Sequence, residues 1–529
     1  MGKLLHELTL LQHEEGWLPA PRLRALAERL DVPLHRLESL ASFYTHFRRS
    51  PPRGRELVVC RDVACRIAGG RDATQRLSEA LGAQEVELRE VSCIGRCDAA
   101  PAARVGESVL DARDAAGIRA ALASKQATAP PRAVRRWAAD PYASPAERWG
   151  ALRAALGRAP AELSAALDAA GLRGMGGAGF PTGRKWSLVA AQAASPRIVV
   201  CNADESEPGT FKDREILHDL PHLVVEGMLL AACCVGAARG IVFIRHEYEA
   251  ERRRLEQAIG EARAAGALGR GIFGGDLDFD VEIFVSPGGY ILGEETALLE
   301  ALEDRRGEPR NKPPFPGERG LHGLPTLINN VETFAHAVGI LHRGVDWWRS
   351  LGRRGFAGHK FMAVSGDVAR PGVVLVPFGT TLGELLDECG GMRDGAKLVA
   401  VAPGGASSHF LPPECLELPL DFETLQGAGS MLGSGAAIFV AEGRDLLEVG
   451  LDVTRFFRNE SCGKCVPCRV GTEKAVQLVE EAGAGAEVLA RLRALHHTLA
   501  RTSICGLGQV ALGPLLSILE RFPDRVGRE

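Results

Sequence analysis

Two sets of cysteines constrain the fold of this 529-residue chain more than any other feature of its sequence. In the first set, Cys60 and Cys65 enclose four residues, Cys93 and Cys97 enclose three, and 27 residues separate the two pairs. Each pair lies at the carboxyl end of a predicted strand, so two loops at one end of a small sheet would bring four thiolates together, as a 2Fe-2S cluster requires. By spacing alone, a tetrahedral zinc site and unligated cysteines are the alternatives.

The second set predicts a larger cluster near the carboxyl terminus. Cys462, Cys465 and Cys468 have two residues between neighbours, and 36 residues separate Cys468 from Cys505. Three thiolates on one tight turn can hold three irons of a 4Fe-4S cubane while a remote fourth completes it. Gly463 frees the backbone to curl around the sulfides. A structural zinc ion is again the alternative.

Composition indicates a folded protein in a reducing compartment. The amino terminus carries charge where a secretory signal is apolar, so thirteen cysteines are more typical of metal ligands than of disulfides. The uncharged stretch 424–441 contains four glycines and two serines, unlike a membrane span, and a net charge of −4 disfavours nucleic acid as the main partner. We therefore expect a cytoplasmic protein without a membrane segment, in which five cysteines are buried small hydrophobic residues: Cys201, Cys233, Cys234, Cys389 and Cys415.

Hydrophobic periodicity predicts a multidomain α/β protein. Strands and helices alternate twice, and the second alternation predicts a parallel sheet with covering helices, including one helix over residues 221–235. The predicted units are a helical segment 1–50, a compact α/β unit 51–125, a linker 126–160 that crosses a neighbouring surface, an α/β unit 161–345, a small α+β module 355–441 and a helical unit 442–529.

A glycine-rich loop precedes the first strand of the 161–345 unit. It includes Gly174, Gly176 and Gly177 and ends near Lys185. The segment before it is patterned as a helix, whereas the dinucleotide-binding G-x-G-x-x-G motif needs a strand there, so that interpretation is rejected. The glycines can still form a nest of backbone amides for a phosphate or a flat ring, with Lys185 as the counter-charge. A flexible surface loop is the alternative.

Polar and acidic loops accompany the glycines. Carboxylates at strand ends suit the hydroxyls of a ribose or ribityl chain, for which they are acceptors. Each loop alone could be plain capping and solvation, but their joint occurrence in one unit indicates a binding site. The candidate residues are Asn202, Asp204, Glu205 and Glu207, then Tyr290, Gly293, Glu294 and Glu295, and finally Asn329, Asn330 and Thr333.

Together these motifs resemble those of the NADH-binding flavoprotein subunit of respiratory complex I and its diaphorase relatives. The resemblance is carried by residues 174–185, 202–214, 288–296, 329–333, 460–471 and 503–508. In addition, residues 12–47 and 60–101 resemble the small thioredoxin-like 2Fe-2S subunit of the same complex. Both subunits are fused here in one chain.

The resemblance implies four cofactors: FMN, NAD, a 2Fe-2S cluster and a 4Fe-4S cluster. It implies that FMN is bound by the glycine loop and the Asn202, Asp204, Glu205, Asn329, Asn330 and Thr333 side chains, and that NAD(H) lies near Gly176, Gly177, Phe180, Glu207, Glu294 and Glu295, with Phe315 as an adenine platform. It also implies a ubiquitin-like β-grasp module over residues 355–441. One departure is Met175, where the family usually has an arginine.

Within the family, the fusion most resembles the beta subunit of cytoplasmic NAD-dependent molybdenum formate dehydrogenases. This resemblance implies two partners: a molybdenum-containing alpha subunit and a small iron-sulfur gamma subunit. The diaphorase subunit of an NAD-reducing hydrogenase, or a fused NADH-dehydrogenase module, is the alternative. A non-catalytic zinc-bound scaffold is the alternative of another class. We also expect that removing residues 1–125 leaves the flavin, NAD and cubane sites whole.

Overall fold

A computed structural model describes residues 3–82, 86–124 and 132–526. Three four-stranded sheets organise these residues, and helices cover them or follow them in the chain. The predicted multidomain α/β class is confirmed. The predicted unit boundaries stay predictions, because several of the units share one core.

Three amino-terminal helices form where leucines recur at three-to-four spacing, and each buries one face. Their leucines share a core with Leu292 and Leu299 of the 161–345 unit. The Tyr44 hydroxyl donates to the carbonyl of Arg305 at 2.6 Å, so the segment lies directly against that unit. The helices are α1 (Lys3–Glu15), α2 (Ala20–Leu30) and α3 (Leu34–Phe43).

The 51–125 unit contains the first sheet. Two parallel strands lie beside an antiparallel hairpin, in the order β2-β1-β3-β4. The sequence did not predict the hairpin, because its strands have only four residues each. Glu85, the first residue of the predicted second strand, lies outside the described residues. The elements are β1 (Arg55–Cys60), α4 (Val63–Cys65), α5 (Ala73–Leu81), β2 (Val86–Val91), β3 (Ala102–Val105), β4 (Ser108–Asp111) and α6 (Ala115–Ala123).

The predicted linker 126–160 packs against the 161–345 unit and contains a helix of its own. Residues 126–131 of it lie outside the described residues, and the remainder crosses the 161–345 unit as expected. Its aromatic residues are anchored there: Trp137 donates to Asp219 at 2.8 Å, and the Tyr142 hydroxyl donates to Glu226 at 2.8 Å. It also contains a short helix, α7 (Gly150–Ala155), whose six residues are too few to show a period in the sequence.

A fully parallel sheet forms the centre of the 161–345 unit, in the order β7-β6-β5-β8. The carboxyl ends of its strands therefore meet at one edge, where ligands of such sheets bind. The elements are α8 (Pro160–Ala170), α9 (Thr182–Ala190), β5 (Arg197–Ala203), α10 (Lys212–Asp219), α11 (Pro221–Val235), β6 (Ala237–Arg245), α12 (Glu249–Ala264), β7 (Asp280–Ser286), α13 (Glu295–Leu302), α14 (Pro316–Arg319), β8 (Thr326–Asn330), α15 (Val331–Arg343) and α16 (Val345–Ser350).

The carboxyl-terminal half consists of the small module and the helical unit. The module has a mixed sheet in the order β10-β9-β12-β11, in which β12 runs parallel to β9. Its elements are β9 (His359–Gly366), β10 (Gly372–Pro377), α17 (Leu382–Glu388), β11 (Leu398–Ala402), α18 (Phe422–Gly427) and β12 (Ala436–Ala441). The helices that follow are α19 (Leu446–Glu460), α20 (Val466–Ala482), α21 (Ala486–Thr502), α22 (Gly506–Val510), α23 (Gly513–Arg521) and α24 (Pro523–Val526).

In the described part of the chain, no single helix is long and apolar enough to cross a membrane. Only α10 and α11 taken together reach that length and composition, and they meet at an angle of 93°.

Two buried arginines fasten the 93–98 loop of the first sheet to the 161–345 unit. Arg214 donates to the carbonyl of Gly95 at 2.6 Å and pairs with Asp98 at 2.9 Å. Arg245 donates to the carbonyl of Cys93 at 2.7 Å and to the carbonyl of Glu205. A buried guanidinium is costly unless it is paired. The contacts therefore argue against the expected independence of residues 1–125, because their removal would leave both arginines without their partners in the 93–98 loop.

We expect Arg214→Met to lower the free energy of unfolding by about 3 to 5 kcal/mol. The methionine retains most of the buried volume but removes the buried ion pairs with Asp98 and Glu215, which then keep only Arg96 and Arg132 as their partners. Urea unfolding followed by tryptophan fluorescence measures the change. The matched control is Arg253→Met, which breaks an exposed ion pair with Glu107 across the same two units and should cost less than about 1 kcal/mol. Equal losses in both variants would contradict the structural role of Arg214.

Candidate functional site

A cavity of 370 Å³ opens at the carboxyl edge of the parallel sheet. It is lined by the glycine loop, by residues that follow β5 and β7, and by the amino end of α15. Ten of the predicted cofactor residues meet there: Gly176, Gly177, Asn202, Asp204, Glu205, Glu207, Tyr290, Gly293, Glu294 and Asn330.

The glycine loop forms one wall of the cavity. The amide of Gly174 donates to the carbonyl of Phe180 at 2.9 Å, which closes the loop on itself. A Cβ at Gly176 would lie 3.0 Å from the Cβ of Asn330, and Gly177 has a φ of +125°, so the wall excludes larger side chains. The absence of side chains at Gly176 and Gly177 leaves room for a bound ring against the backbone. Because a helix precedes the loop, the rejection of the dinucleotide-binding motif is confirmed.

Met175 and Thr333 support this loop from behind. The amide of Met175 donates to the Thr333 hydroxyl at 2.9 Å, and both side chains are buried outside the cavity lining. The position where the family usually has an arginine is therefore part of the apolar core in this chain.

Asp204 places an unpaired carboxylate oxygen at the cavity. It follows β5 directly, and its Oδ2 atom is buried without a hydrogen-bond partner among the described residues. Burial raises the pKa of Asp204 to about 7. An orphaned acceptor of this kind fits the hydroxyl or N–H groups of a bound ligand, which would complete its hydrogen bonding.

The Glu205 carboxylate, in contrast, is hydrogen-bonded by groups of the protein itself. Its carboxylate accepts hydrogen bonds from the Asp213 amide at 3.0 Å, the Arg214 amide at 3.2 Å and the Tyr248 hydroxyl at 3.0 Å. Burial, reinforced by the charge of Asp213, raises the pKa of Glu205 to about 7. The side chain caps the first turn of α10 while one edge faces the cavity.

Glu207 connects the cavity to the small module. Its Oε1 atom accepts from the Ser407 amide at 2.7 Å and from the Ser407 hydroxyl at 2.6 Å. Burial raises the pKa of Glu207 to about 7 even though both Ser407 contacts oppose the shift. The carboxyl group is therefore poised between its neutral and charged forms near neutral pH.

Seven predicted cofactor residues do not line the cavity. Gly174 and Thr333 support the glycine loop, and the buried Asn329 accepts from the Trp186 indole at 3.0 Å. Phe180 and Phe315 are exposed. Lys185 donates to the carbonyl of Ile328 at 2.7 Å and lies 3.4 Å from Glu295, which also pairs with Lys312 at 2.9 Å. The predicted counter-charge Lys185 is thus already engaged with protein groups.

Sequence reasoning missed lining residues that come from distant parts of the chain. Gly506 and Leu507 follow Cys505 directly, so their position beside a cluster ligand was a usable signal. The small module contributes turn residues that carry no recognisable chemistry in the sequence. The missed residues are Ala178, Ser206, Thr210, Asp213, Ile291, Ser407, Met431, Gly433, Ser434, Gly506, Leu507 and Val510.

The first cysteine set is assembled and fully buried. The Sγ atoms of Cys93 and Cys97 lie 3.5 Å apart, close to the roughly 3.8 Å between two thiolates on one tetrahedral iron with bonds of about 2.3 Å. The Cys60 thiol contacts those of Cys65 and Cys93. Backbone amides aim at three of the sulfurs, from Gly95 to Cys93, from Ala102 to Cys65 and from Gly209 to Cys97. Such donors stabilise thiolates in clusters.

The second set lies where α19, α20 and α22 meet. Cys465 and Cys505 precede the first turns of α20 and α22, and Cys468 lies within the first turn of α20. Burial raises the pKa of Cys468 to about 11 and that of Cys505 to about 12. Because metal ligands are thiolates, a cluster bound here would displace the thiol protons of both residues.

Neither set is arranged around a single point. Within ranges 3–82, 86–124 and 132–526, no three His, Cys, Asp or Glu side chains converge as ligands of one metal ion do. Of the other five cysteines, Cys201, Cys234 and Cys389 are buried as predicted, whereas Cys233 and Cys415 are only partly buried, since they lie where their elements reach the surface.

Four family models match the chain in sequence. They are described as a thioredoxin-like 2Fe-2S ferredoxin over residues 1–126, the Nuo51 FMN-binding domain over 167–338, an SLBB domain over 361–411 and the NADH-ubiquinone oxidoreductase-F iron-sulfur binding region over 448–529. They identify the FMN, 2Fe-2S and 4Fe-4S cofactors, and NAD binding fits this family.

Individual proteins are similar to this chain over most of its length. A subunit of the NADH-quinone oxidoreductase of Streptomyces coelicolor is 43% identical over 73% of this chain and 87% of its own length. The HndC subunit of the NADP-reducing hydrogenase of Solidesulfovibrio fructosivorans is 40% identical over 69% of this chain and 75% of its own. A crystal structure of an NAD+-reducing NiFe hydrogenase matches 98% of this chain and 92% of that chain, with a TM-score of 0.86 and 32% identity.

We expect Asp204→Asn to weaken the pH dependence of stability in protein prepared without flavin. Because the folded-state pKa is raised from 3.8 to about 7, the carboxyl group favours the folded state at low pH, and this contribution is lost as pH rises through about 7. Between about pH 5 and about pH 8 the wild type should therefore lose about 2 to 3 kcal/mol more than the variant. Urea unfolding at both pH values measures this, with the exposed Asp280→Asn as control. An unchanged pH profile would show that Asp204 is not buried as a carboxyl group.

Proposed function

The chain belongs to the family of NADH-binding flavoprotein subunits found in NADH-quinone oxidoreductases, and we propose that it is the diaphorase subunit of an NAD-linked oxidoreductase complex. Bound FMN would exchange two electrons as a hydride with NAD(H) and single electrons with the iron-sulfur clusters. In the proposed direction, electrons arrive from a partner subunit and reduce NAD+.

One observation carries this proposal: a single cavity is lined by residues next to Cys505 of the second cysteine set and by a turn that is hydrogen-bonded to Cys97 of the first set. Gly506 and Leu507, next to Cys505, line it on one side. On another side lies Glu207, in the turn whose Gly209 amide donates to the Cys97 sulfur at 3.3 Å. A ligand in the cavity would thus lie beside both clusters. Proximity of this kind is what a protein supplies to electron exchange between cofactors.

The protein's own groups bind and orient the ligands in this proposal. Amides of the glycine loop and the side chains of Asn202, Asp204 and Asn330 would hold FMN, while Asn329 and Thr333 support its walls. The exposed rings of Phe180 and Phe315 would receive the nucleotide beside Glu207, Glu294 and Glu295. The proposed cluster ligands are Cys60, Cys65, Cys93 and Cys97 for 2Fe-2S, and Cys462, Cys465, Cys468 and Cys505 for 4Fe-4S.

For the electron source we propose a cytoplasmic formate dehydrogenase, with the molybdenum alpha subunit and the small gamma subunit as partners. The support is the sequence resemblance of the fused chain. A hydrogen-oxidising partner is the second candidate, because the likeness to the NAD+-reducing NiFe hydrogenase chain spans 98% of this one.

Purification of the native complex tests the proposal. A brown protein that oxidises NADH with an artificial dye supports the diaphorase, and a colourless zinc protein would overturn it. NAD+ reduction by formate, compared with reduction by hydrogen, separates the two electron sources. Mass spectrometry of the co-purifying subunits identifies the partner directly.

We expect Glu207→Gln to raise NADPH oxidation relative to NADH oxidation by about tenfold or more. A carboxylate accepts from the ribose 2′-hydroxyl of NADH but repels a 2′-phosphate, and glutamine nearly retains the shape without the charge. Because the pKa of Glu207 is raised to about 7, the wild type should also discriminate less against NADPH below that pH, and the variant should lose this dependence. Steady-state kinetics with both nucleotides measures the ratio. An unchanged preference would assign Glu207 only to the Ser407 contact.

We expect Cys468→Ser to remove the 4Fe-4S cluster and stop electron exchange with the partner, while FMN is retained. Cys468 is the most buried cysteine of its set, and three remaining thiolates hold a cubane weakly. Iron analysis and electron paramagnetic resonance measure the loss, and dye reduction by NADH reports the flavin. The control is Cys389→Ser, which lies in the small module away from both sets. Intact electron transfer from the partner to NAD+ in Cys468→Ser would reject this ligand assignment.

A further inference from the structure

Glu460 occupies a junction that the proposed function does not use. It is the last residue of α19 and directly precedes the 461–465 turn of the second cysteine set. Its carboxylate accepts two hydrogen bonds from other units. Oε1 accepts from the Ser92 hydroxyl, and Oε2 accepts from the Tyr290 amide at 2.8 Å.

The two hydrogen bonds connect Glu460 to two different sites, the first cysteine set and the cavity. Ser92 precedes Cys93, whose amide donates to Asp62 at 2.6 Å within the first cysteine set. Tyr290 lines the cavity. On the other side of Glu460 in the chain, the Ser461 hydroxyl lies 3.2 Å from the Cys468 sulfur. One carboxylate thus contacts the loop of the first set and the cavity wall, and is joined by a peptide bond to the turn of the second.

The helix that carries Glu460 is fixed along its length. Near its middle, Asp452 pairs with Arg66 and Arg71 of the 51–125 unit, each at 3.1 Å. Near its end, the ring of Phe456 packs against Tyr290 with centroids 5.0 Å apart. The carboxylate therefore has a defined position relative to all three sites.

Glu460 places a negative charge at the carboxyl end of α19, where such a charge does not stabilise the helix. The carboxyl end of a helix favours cations, so an anion at this position is destabilising. Glu460 also lies close enough to Asp62 and Asp204 for its charge to disfavour theirs. A residue selected only for packing would not concentrate negative charge in this place.

We propose that Glu460 is a positioning residue that couples the three redox sites and sets the potentials of both clusters through its charge. The inference rests on the proposed cysteine assignments. A negative charge beside a cluster disfavours its reduced form, and in a partly buried environment the effect is stronger than in water. Because one carboxylate contacts the loop of the first cysteine set and directly precedes the turn of the second, its charge lowers both potentials together and keeps them aligned with each other.

The test is a redox titration of the whole complex, followed by electron paramagnetic resonance of each cluster. Glu460→Gln retains the size of the side chain, removes the charge and can accept only one of the two hydrogen bonds. Both clusters should shift toward their reduced forms by about threefold to tenfold, where tenfold corresponds to about 59 mV for one electron. Glu460→Asp retains the charge and should restore most of both potentials, which a purely steric role would not predict.

The matched control is Glu473→Gln, on α20 beyond Cys468. It removes the same charge from a half-exposed side chain that touches neither Ser92 nor the cavity. Its effect on the 2Fe-2S potential should be negligible. Equal shifts in Glu460→Gln and Glu473→Gln, or a shift of neither cluster in Glu460→Gln, would overturn the proposal.

A second variant keeps the test decisive if Glu460→Gln does not fold. Ser92→Ala removes one donor from the carboxylate and leaves its charge less neutralised, so both potentials should fall, and that of the 2Fe-2S cluster should fall more because the lost contact is on its side. An unchanged 2Fe-2S potential would reject the coupling. The absence of either cluster signal in the wild type would instead overturn the proposed function, so the two failures are distinguishable.

Discussion

The architecture depends on pairing two buried guanidinium groups. Arg214 and Arg245 lie between the 93–98 loop and the carboxyl edge of the parallel sheet, and each donates to groups of that loop. An unpaired buried charge is strongly destabilising, so the loop cannot leave this edge without cost. The first cysteine set is therefore held against the cavity, although it belongs to another unit.

The same edge concentrates acidic groups whose charge is disfavoured. Burial raises the pKa values of Asp204, Glu205 and Glu207 to about 7. All three residues lie in the turn after β5, at the edge where the carboxyl ends of the parallel strands meet. The three carboxyl groups differ in how their burial is compensated. Glu205 and Glu207 accept hydrogen bonds from protein groups, whereas Asp204 keeps one oxygen without a partner among the described residues. That difference separates residues that build the wall from one that is available to a ligand.

The site is assembled from three units of the chain and is hydrogen-bonded to a fourth. Ser407 of the small module fixes Glu207, Leu507 of the helical unit closes the cavity, and Gly209 donates to Cys97 of the 51–125 unit. Glu460 joins three of these regions through one carboxylate. Electron carriers have to be close together, and here closeness is achieved by interlocking loops from different units around one cavity. The hydrophobic cores that several units share arise from the same interlocking of units.

The sequence by itself determined the elements whose signals are local. Cysteine spacing indicated both cluster sites with zinc as the alternative, periodicity predicted α11 to the residue, and the motif loops indicated the family. Only the tertiary structure decided which of those residues meet: Phe180, Lys185, Phe315 and Asn329 do not line the cavity, whereas Ser407, Gly506 and Leu507 do. It also showed that the amino-terminal helices pack against the 161–345 unit. The physical reason is that contacts between residues hundreds of positions apart depend on burial and charge pairing in the folded chain, which no local pattern records.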